Sequence, residues 1–266
     1  MRRSPAVAGR FYPGDPAALR AELDARMRGA APAIAVRCVV VPHAGYVYSG
    51  SVAAQTWARV QVPARVVLLC PNHTGMGVRG SLWGGDAWRY PGGELAIDTE
   101  LRTAILACTD LELDVDAHLR EHAIEVQIPM LAARRSDARI VPIVLGRMDA
   151  AACRRLGEGL RRAIEPFAAE TLVVASTDMS HYVPADRAEV LDAKAIARIL
   201  ALDPEGLHAV VEAERISMCG YVPTTVALVC AIGLGAREAE LVRYGNSGET
   251  SGDFDRVVGY AGMLVH

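Results

Sequence analysis

The sequence predicts an α/β fold: a single domain with a central mixed sheet flanked by helices. Three observations carry that expectation. Three short runs, Arg37–Val41, Arg65–Cys70 and Thr171–Ser176, are apolar and rich in Val. A run of this kind between helical patterns reads as a strand buried on both faces of a sheet. Helix-period segments alternate with these runs along the chain, the order expected of a sheet covered by helices. No stretch rich in Pro, Ser or charge divides the 266 residues, so one unit spanning residues 1–266 is expected rather than two.

The elements follow in order. Leu19, Leu23 and Met27 recur every four residues across Pro16–Arg28, the apolar stripe of an amphipathic helix. The first buried strand and its turn at His43 come next, then a helix over about residues 50–60. After the second strand, a glycine-rich loop (Gly75, Gly77, Gly80, Gly84, Gly85) runs into a hairpin arm over Trp83–Tyr90, and Pro91-Gly92-Gly93 is a turn signal. Asp98 can accept a hydrogen bond from a free helical N–H, so it is placed as the cap of a helix reaching Cys108. A helix over Glu121–Arg135, a strand over Arg139–Leu145 and a helix over Asp149–Ile164 lead to the third Val-rich strand. Helices over Ala185–Leu200, Pro204–Ala213 and Pro223–Leu234 follow, and strands over Glu240–Tyr244 and Val257–Val265 close the chain.

Composition excludes several function classes. Hydrophobic residues make up 52% of the chain and aromatics only 5%, enough for a sizeable core packed by Ala, Val and Leu. A net charge of −3 and the lack of a basic run argue against a nucleic-acid partner. The longest apolar segment, Val222–Leu234, is interrupted by Pro223, two threonines and Gly233. It falls short of the roughly 20 residues that span a bilayer, so no membrane partner is expected. Arg2 and Arg3 are followed by no apolar stretch of the signal-peptide kind. The six cysteines form no C-x-x-C pair. Cys38, Cys70, Cys108, Cys153 and Cys230 are expected to be reduced, buried and unligated, in a cytoplasmic protein. No P-loop, dinucleotide fingerprint or G-x-S-x-G elbow occurs, which counts against the common nucleotide-binding and serine-hydrolase chemistries.

Function is expected at the carboxyl ends of the three strands, where open α/β sheets hold their ligands. Each run ends in a polar cluster with a histidine: His43 in Pro-His-Ala-Gly-Tyr, His73 in Pro-Asn-His-Thr-Gly, and His181 in Ser-Thr-Asp-Met-Ser-His. Imidazole is the commonest metal ligand and the usual proton carrier near neutral pH. Asp178, three residues before His181, is expected to fix that ring's tautomer, as carboxylates behind metal-site histidines do. The pair could equally supply a general base or a further ligand. Cys219, in Ser-Met-Cys-Gly-Tyr ahead of a helix, is the one cysteine in a polar, Gly-containing loop. Taken alone it reads as an inert buried thiol; beside a helix N-terminus its thiolate would be stabilised. A thiolate with two imidazoles suits Fe(II), Cu(I) or Zn(II) better than Mg(II) or Ca(II). Glu121, His122 and Glu125 read as a carboxylate-rich helix start, since the H-E-x-x-H order is missing. His118 reads as loop surface and His208 as a helix face.

Six stretches together resemble a known family. Pro5-Ala6-Val7-Ala8-Gly9-Arg10-Phe11-Tyr12-Pro13, the Pro-His-Ala-Gly-Tyr turn, Pro-Asn-His, Glu-His-Ala-Ile-Glu-Val-Gln, Ser-Thr-Asp-Met-Ser-His-Tyr and Met-Cys-Gly occur in order. In this they are similar to the Memo family, also called AmmeMemoRadiSam system protein B. The resemblance implies the fold of the LigB-type class III extradiol dioxygenases, which open catechol rings with non-haem Fe(II). It implies that His43, His73 and Cys219 match the metal-ligand positions, and that Asp178 and His181 line the same pocket in catalytic roles, His181 as proton carrier. LigB-type enzymes have a carboxylate as third ligand, where Cys219 stands here; a thiolate changes the charge distribution and the redox potential. Fe(II) is the implied metal, with Cu or Zn as alternatives. The resemblance also implies a functional link to a radical-SAM protein and an AMMECR-type protein. The expected function is metal-dependent redox or dioxygenase-like chemistry on an unknown small molecule. The rival is a non-catalytic module that recognises a peptide or protein partner with the same pocket, and a third reading is a zinc hydrolase.

Overall fold

Residues that alternate between two apolar faces fix the architecture. The computed structural model describes residues 1–266. Its strands are β1 (Arg2–Arg3), β2 (Cys38–Val41), β3 (Arg65–Pro71), β4 (Gly80–Trp83), β5 (Ala87–Tyr90), β6 (Gly93–Ala96), β7 (Glu112–Asp114), β8 (Arg139–Leu145), β9 (Thr171–Ser176), β10 (His181–Val183), β11 (Ala239–Asn246) and β12 (Val257–Val265). Nine of them form one sheet in the order β10-β12-β2-β9-β3-β8-β4-β7, with β11 paired to β12. Strands β2, β9, β3 and β8 run parallel, while β12 and β4 flank them antiparallel. The mixed sheet predicted from the sequence is therefore the one formed. A small second sheet joins β1, β5 and β6.

Successive side chains of a strand point to opposite faces. Val40, Val67, Leu69, Val141, Val173 and Ala175 enter one core, and Val39, Val41, Val66, Leu68, Leu172 and Val174 enter the other. Helices Ala150–Ile164 and Tyr221–Gly233 cover the first face, contributing Leu156, Leu160, Val226 and Leu228. Helices Pro16–Arg26, Tyr46–Ala58 and Gln127–Arg134 cover the second with Leu19, Leu23, Trp57 and Leu131. Burying one such aliphatic side chain is worth about 1.5–3 kcal/mol, so the central strands are a rigid platform.

Most expected boundaries recur: Arg139–Leu145, Val257–Val265, Ala185–Leu200 and Pro204–Ala213 are unchanged. Asp98 caps Thr99–Cys108, its carboxylate accepting from Leu101 N at 3.0 Å. Three readings are corrected. The hairpin turns at Pro91-Gly92 as expected, but its first arm is β5 (Ala87–Tyr90) rather than Trp83–Tyr90, because Trp83 pairs within the main sheet through β4. Glu121–Arg135 is not one helix. The helix begins at Gln127, residues 123–126 form a turn, and the Glu121 and Glu125 carboxylates also reach distant backbone, at His73 and Val7. His118 is not on the surface: it is fully buried between Trp83 and Trp88, at ring-centroid distances of 5.5 and 6.0 Å. Burial lowers its pKa to about 3, so it is neutral.

The sheet order positions the site. Strands β2, β9 and β3 are neighbours, with Val41 opposite Ser176 and Leu69 opposite Ala175. Their carboxyl ends therefore open side by side, and the residues that follow them meet.

Candidate metal centre

His43 leaves β2 after Pro42 and is almost fully buried. Its backbone N–H donates to the Asp178 carboxylate at 2.7 Å. Its Nδ1 lies 3.0 Å from Ser176 Oγ, which already donates to Ala123 O at 2.7 Å and accepts from Gln127 Nε2 at 3.0 Å. The hydroxyl proton being committed elsewhere, Nδ1 of His43 must donate, which leaves the Nε2 lone pair free. His73, after β3, puts Nδ1 at 2.8 Å from Glu121 Oε1 and donates its backbone N–H to Glu121 Oε2 at 2.7 Å. His122 Nδ1 is 3.4 Å from the same Oε1.

These anchors leave three rings facing one another. One ligand atom from each of His43, His73 and His122 lies within 4.8 Å of the others, a cluster that could hold a metal ion. Cys219 Sγ stands 3.2 Å from His43 Nε2, so the cysteine expected from the sequence borders the same cluster. Gly220 makes that approach possible: a Cβ there would meet Thr177 Cβ at 2.4 Å and Ser176 O at 2.6 Å. The sequence reading missed His122, which it had placed on a helix start. The flanking carboxylates Glu121 and Glu125 were the available signal.

Protonation follows from the surroundings. Burial, then the charges of His122, His73 and His181, holds His43 well below the ordinary imidazole range. Burial likewise lowers His122 to about 4 against the pull of Glu121. Burial would also lower His73, but its hydrogen bond and charge contact with Glu121, with Asp178 beyond, lift it above the ordinary value. Two rings are thus neutral donors and the third competes with a proton. Burial and the Asp178 carboxylate push the Cys219 thiol up, although Asp178 N–H donates to Sγ at 3.3 Å. The expected helix stabilisation of a thiolate is outweighed.

Asp178 and His181 are both beside the cluster, yet they are not partners. Asp178 holds the His43 backbone, and its Oδ2 is 4.0 Å from His43 Nε2. His181 Nδ1 donates to backbone carbonyls, Met179 O at 2.8 Å and Ser217 O at 2.9 Å. Its tautomer is fixed by peptide oxygens rather than by Asp178, as the sequence had suggested.

A family profile described as Memo-like protein matches residues 3–264. The chain belongs to the Memo family. It is 42% identical to a MEMO1 family protein of Methanopyrus kandleri, with 99% of each chain covered. It is 42% identical to one of Aquifex aeolicus over 98% of each, and 38% identical to one of Sulfolobus acidocaldarius over 98% of each. A solved structure of an uncharacterized protein from Escherichia coli K12 shares the fold, with a TM-score of 0.59 at 13% identity, covering 86% of this chain and 99% of that one.

In this Memo-family chain His122 is the member of the cluster that lines a cavity of about 540 Å³, with Asp178 and His181 beside it in the polar wall and Phe11, Tyr48 and Tyr260 among the aromatic ones. A second cavity of about 560 Å³, near Arg79, Arg155 and Arg162, contains none of the histidines. Size does not separate the two; the chemistry of the walls does. The remaining cysteines are free, with Cys38, Cys70, Cys153 and Cys230 buried as expected and Cys108 only partly so. No helix is long and apolar enough to cross a membrane.

Proposed function

We propose that this Memo-family protein binds a first-row transition ion, Fe(II) above Cu or Zn, and uses it in redox or dioxygenase-like chemistry on a small molecule. The observation that carries the reading is the convergence of His43, His73 and His122 within 4.8 Å, with Cys219 Sγ 3.2 Å from His43. Imidazole nitrogen with thiolate sulfur is a borderline-to-soft donor set, suited to Fe, Cu or Zn and not to Mg or Ca. His43, His73 and Cys219 would hold the ion, with His122 within reach as a fourth donor. Such an ion would supply Lewis acidity and, if iron or copper, electron transfer.

The chain's own residues have separate tasks. Asp178 ties the β9 end to His43 and keeps that ring in place. His181, with Nδ1 committed to Met179 O and Ser217 O, leaves its other nitrogen to carry a proton at the cavity wall. Phe11, whose ring lies 4.9 Å from His122, closes one side with apolar surface and limits water.

A binding-module reading has one observation in its favour. Val47, Tyr48 and Tyr182, respectively 58%, 46% and 67% exposed, rim the cavity mouth, and exposed apolar groups around a site suit a peptide. Oxygen uptake separates the two. Protein loaded with Fe(II) without air and then given oxygen with a panel of catechols and reductants should consume oxygen, and His181→Ala should lose roughly 10²–10⁴ of the rate. Uptake no faster than that of free Fe(II) would leave the binding module as the function. The free thiols are consistent with a reducing, cytoplasmic setting, which belongs to this proposal.

A further inference from the structure

We propose that Glu121 is a positioning residue of the centre: its carboxylate sets the tautomer of His73 and gives the pocket the buried negative charge that a divalent cation neutralises. The second half rests on the metal-binding reading above; the first does not.

Glu121 is fully buried. Its Oε1 faces His73 Nδ1 at 2.8 Å, Ala123 N at 3.0 Å and His122 Nδ1 at 3.4 Å, and its Oε2 accepts from His73 N at 2.7 Å. A carboxylate only accepts, so His73 must present a proton at Nδ1 and leave Nε2 for the inner face of the cluster, while His122 meets Oε1 as a charge contact alone. His43 reaches the same tautomer by a different route, through Ser176. Two rings are thus preset before any ion arrives, by devices that both lean on Ala123, whose N–H donates to Glu121 and whose carbonyl accepts from Ser176.

The charge argument is separate. The nearest buried cation, Arg3, does not pair with the Glu121 carboxylate. Its Nη1 goes to Glu125 Oε2 at 2.7 Å, and its Nη2 goes to the Glu121 main-chain oxygen at 2.6 Å. The only charge partners of the Glu121 carboxylate are His73 and His122. The buried Asp178 has no arginine or lysine either, only His43 at 4.0 Å. Buried charges are paired or coordinate metals. Two carboxylates on one histidine cluster with no arginine or lysine paired to them favour a cation at its centre.

A purely structural Glu121 would tie the His73 loop to the 121–123 turn and do nothing else, so the test reads the rings directly. Long-range nitrogen–proton NMR on the metal-free, full-length protein at pH 8 should show Nδ1–H at His43 and His73. In Glu121→Gln the side chain is neutral and its NH₂ can face His73 Nδ1, which then has to accept, so His73 should turn to mixed tautomers while His43 stays as it was. Titration with Zn(II) alone should then show affinity 10–100-fold weaker, the usual effect of removing a group that orients metal ligands. Glu121→Asp keeps the charge with a shorter reach and should fall between the two. Unchanged tautomers in Glu121→Gln would overturn the positioning role. Equal loss of zinc affinity in the Asp and Gln variants would overturn the charge role. If the wild type binds no Zn(II) while the tautomers shift as stated, the metal reading fails and the positioning role stands. Should the Gln variant not fold, the Asp variant carries the tautomer test by itself, its shorter reach loosening the hold on His73 Nδ1 while His43 stays as it was.

Discussion

Glu125→Ala should detach the amino-terminal strap that walls the candidate site. Glu125 is buried and accepts four hydrogen bonds from one strap: Arg3 Nη1 at 2.7 Å, Ala6 N at 2.8 Å, Val7 N at 2.9 Å and Tyr12 Oη at 2.8 Å. The Arg3 and Glu125 side chains are 0% and 1% exposed, so their pair is fully desolvated. Removing one partner of a buried pair costs about 3–5 kcal/mol, because the other charge is left uncompensated. Arg3 keeps three carbonyl acceptors, His118 O, Glu121 O and the longer Ser4 O, which puts the expected loss near the lower end, about 3 kcal/mol. Urea unfolding of the metal-free protein measures it as a lower midpoint with an unchanged slope. Replacing both partners by apolar residues, Arg3→Met with Glu125→Leu, should restore much of the loss, since a buried pair often does little better than a packed apolar one. The strap also carries Phe11 against His122, so zinc affinity should drop in Glu125→Ala as well. A destabilisation below about 1 kcal/mol, the scale of a surface ion pair, would refute the reasoning.

Two further outcomes follow from the site. Burial raises Asp178 to about 6 against the hydrogen bonds from His43 and Ala44 and the charges of His181 and His73. A carboxyl raised on folding contributes stability that is full below its unfolded value near 4 and is lost as pH rises through about 6. Metal-free Asp178→Asn should therefore gain in melting temperature over the wild type between pH 5 and pH 8; an offset that is the same at both would contradict the buried-charge account. His181→Ala should keep its metal, because its ring is anchored to Met179 O and Ser217 O outside the cluster. Loss of metal as complete as in His43→Ala would make His181 a ligand.

The fold was legible because strand burial is written locally. Val39, Val40 and Val41, or Val66 through Leu69, are apolar at every position, and only a strand covered on both faces accommodates that. The meeting of His43 with His73, and the place of Cys219 beside His43, could be read from strand ends and from the family resemblance. His122 could not, because what removes residues 121–126 from a helix is long-range: Glu125 reaches residues 3–12 and Glu121 reaches His73. Asp178 misled for the same reason. Its i−3 spacing suggested His181, while the parallel pairing of β2 with β9 delivers His43 to it across 135 residues. His118 looked like a surface histidine because nothing local announces that Trp83 and Trp88 fold over it.

X-ray absorption at the metal edge, on protein purified without air or added metal, tests the central claim most directly. The expected spectrum is that of about one first-row ion per chain, with nitrogen scatterers at roughly 2.0–2.1 Å and one sulfur at roughly 2.3 Å, the sulfur lost in Cys219→Ala. The His43→Ala, His73→Ala double variant should remain folded and carry no metal. A metal-free wild type, or the same shell of scatterers in the double variant, would contradict the account.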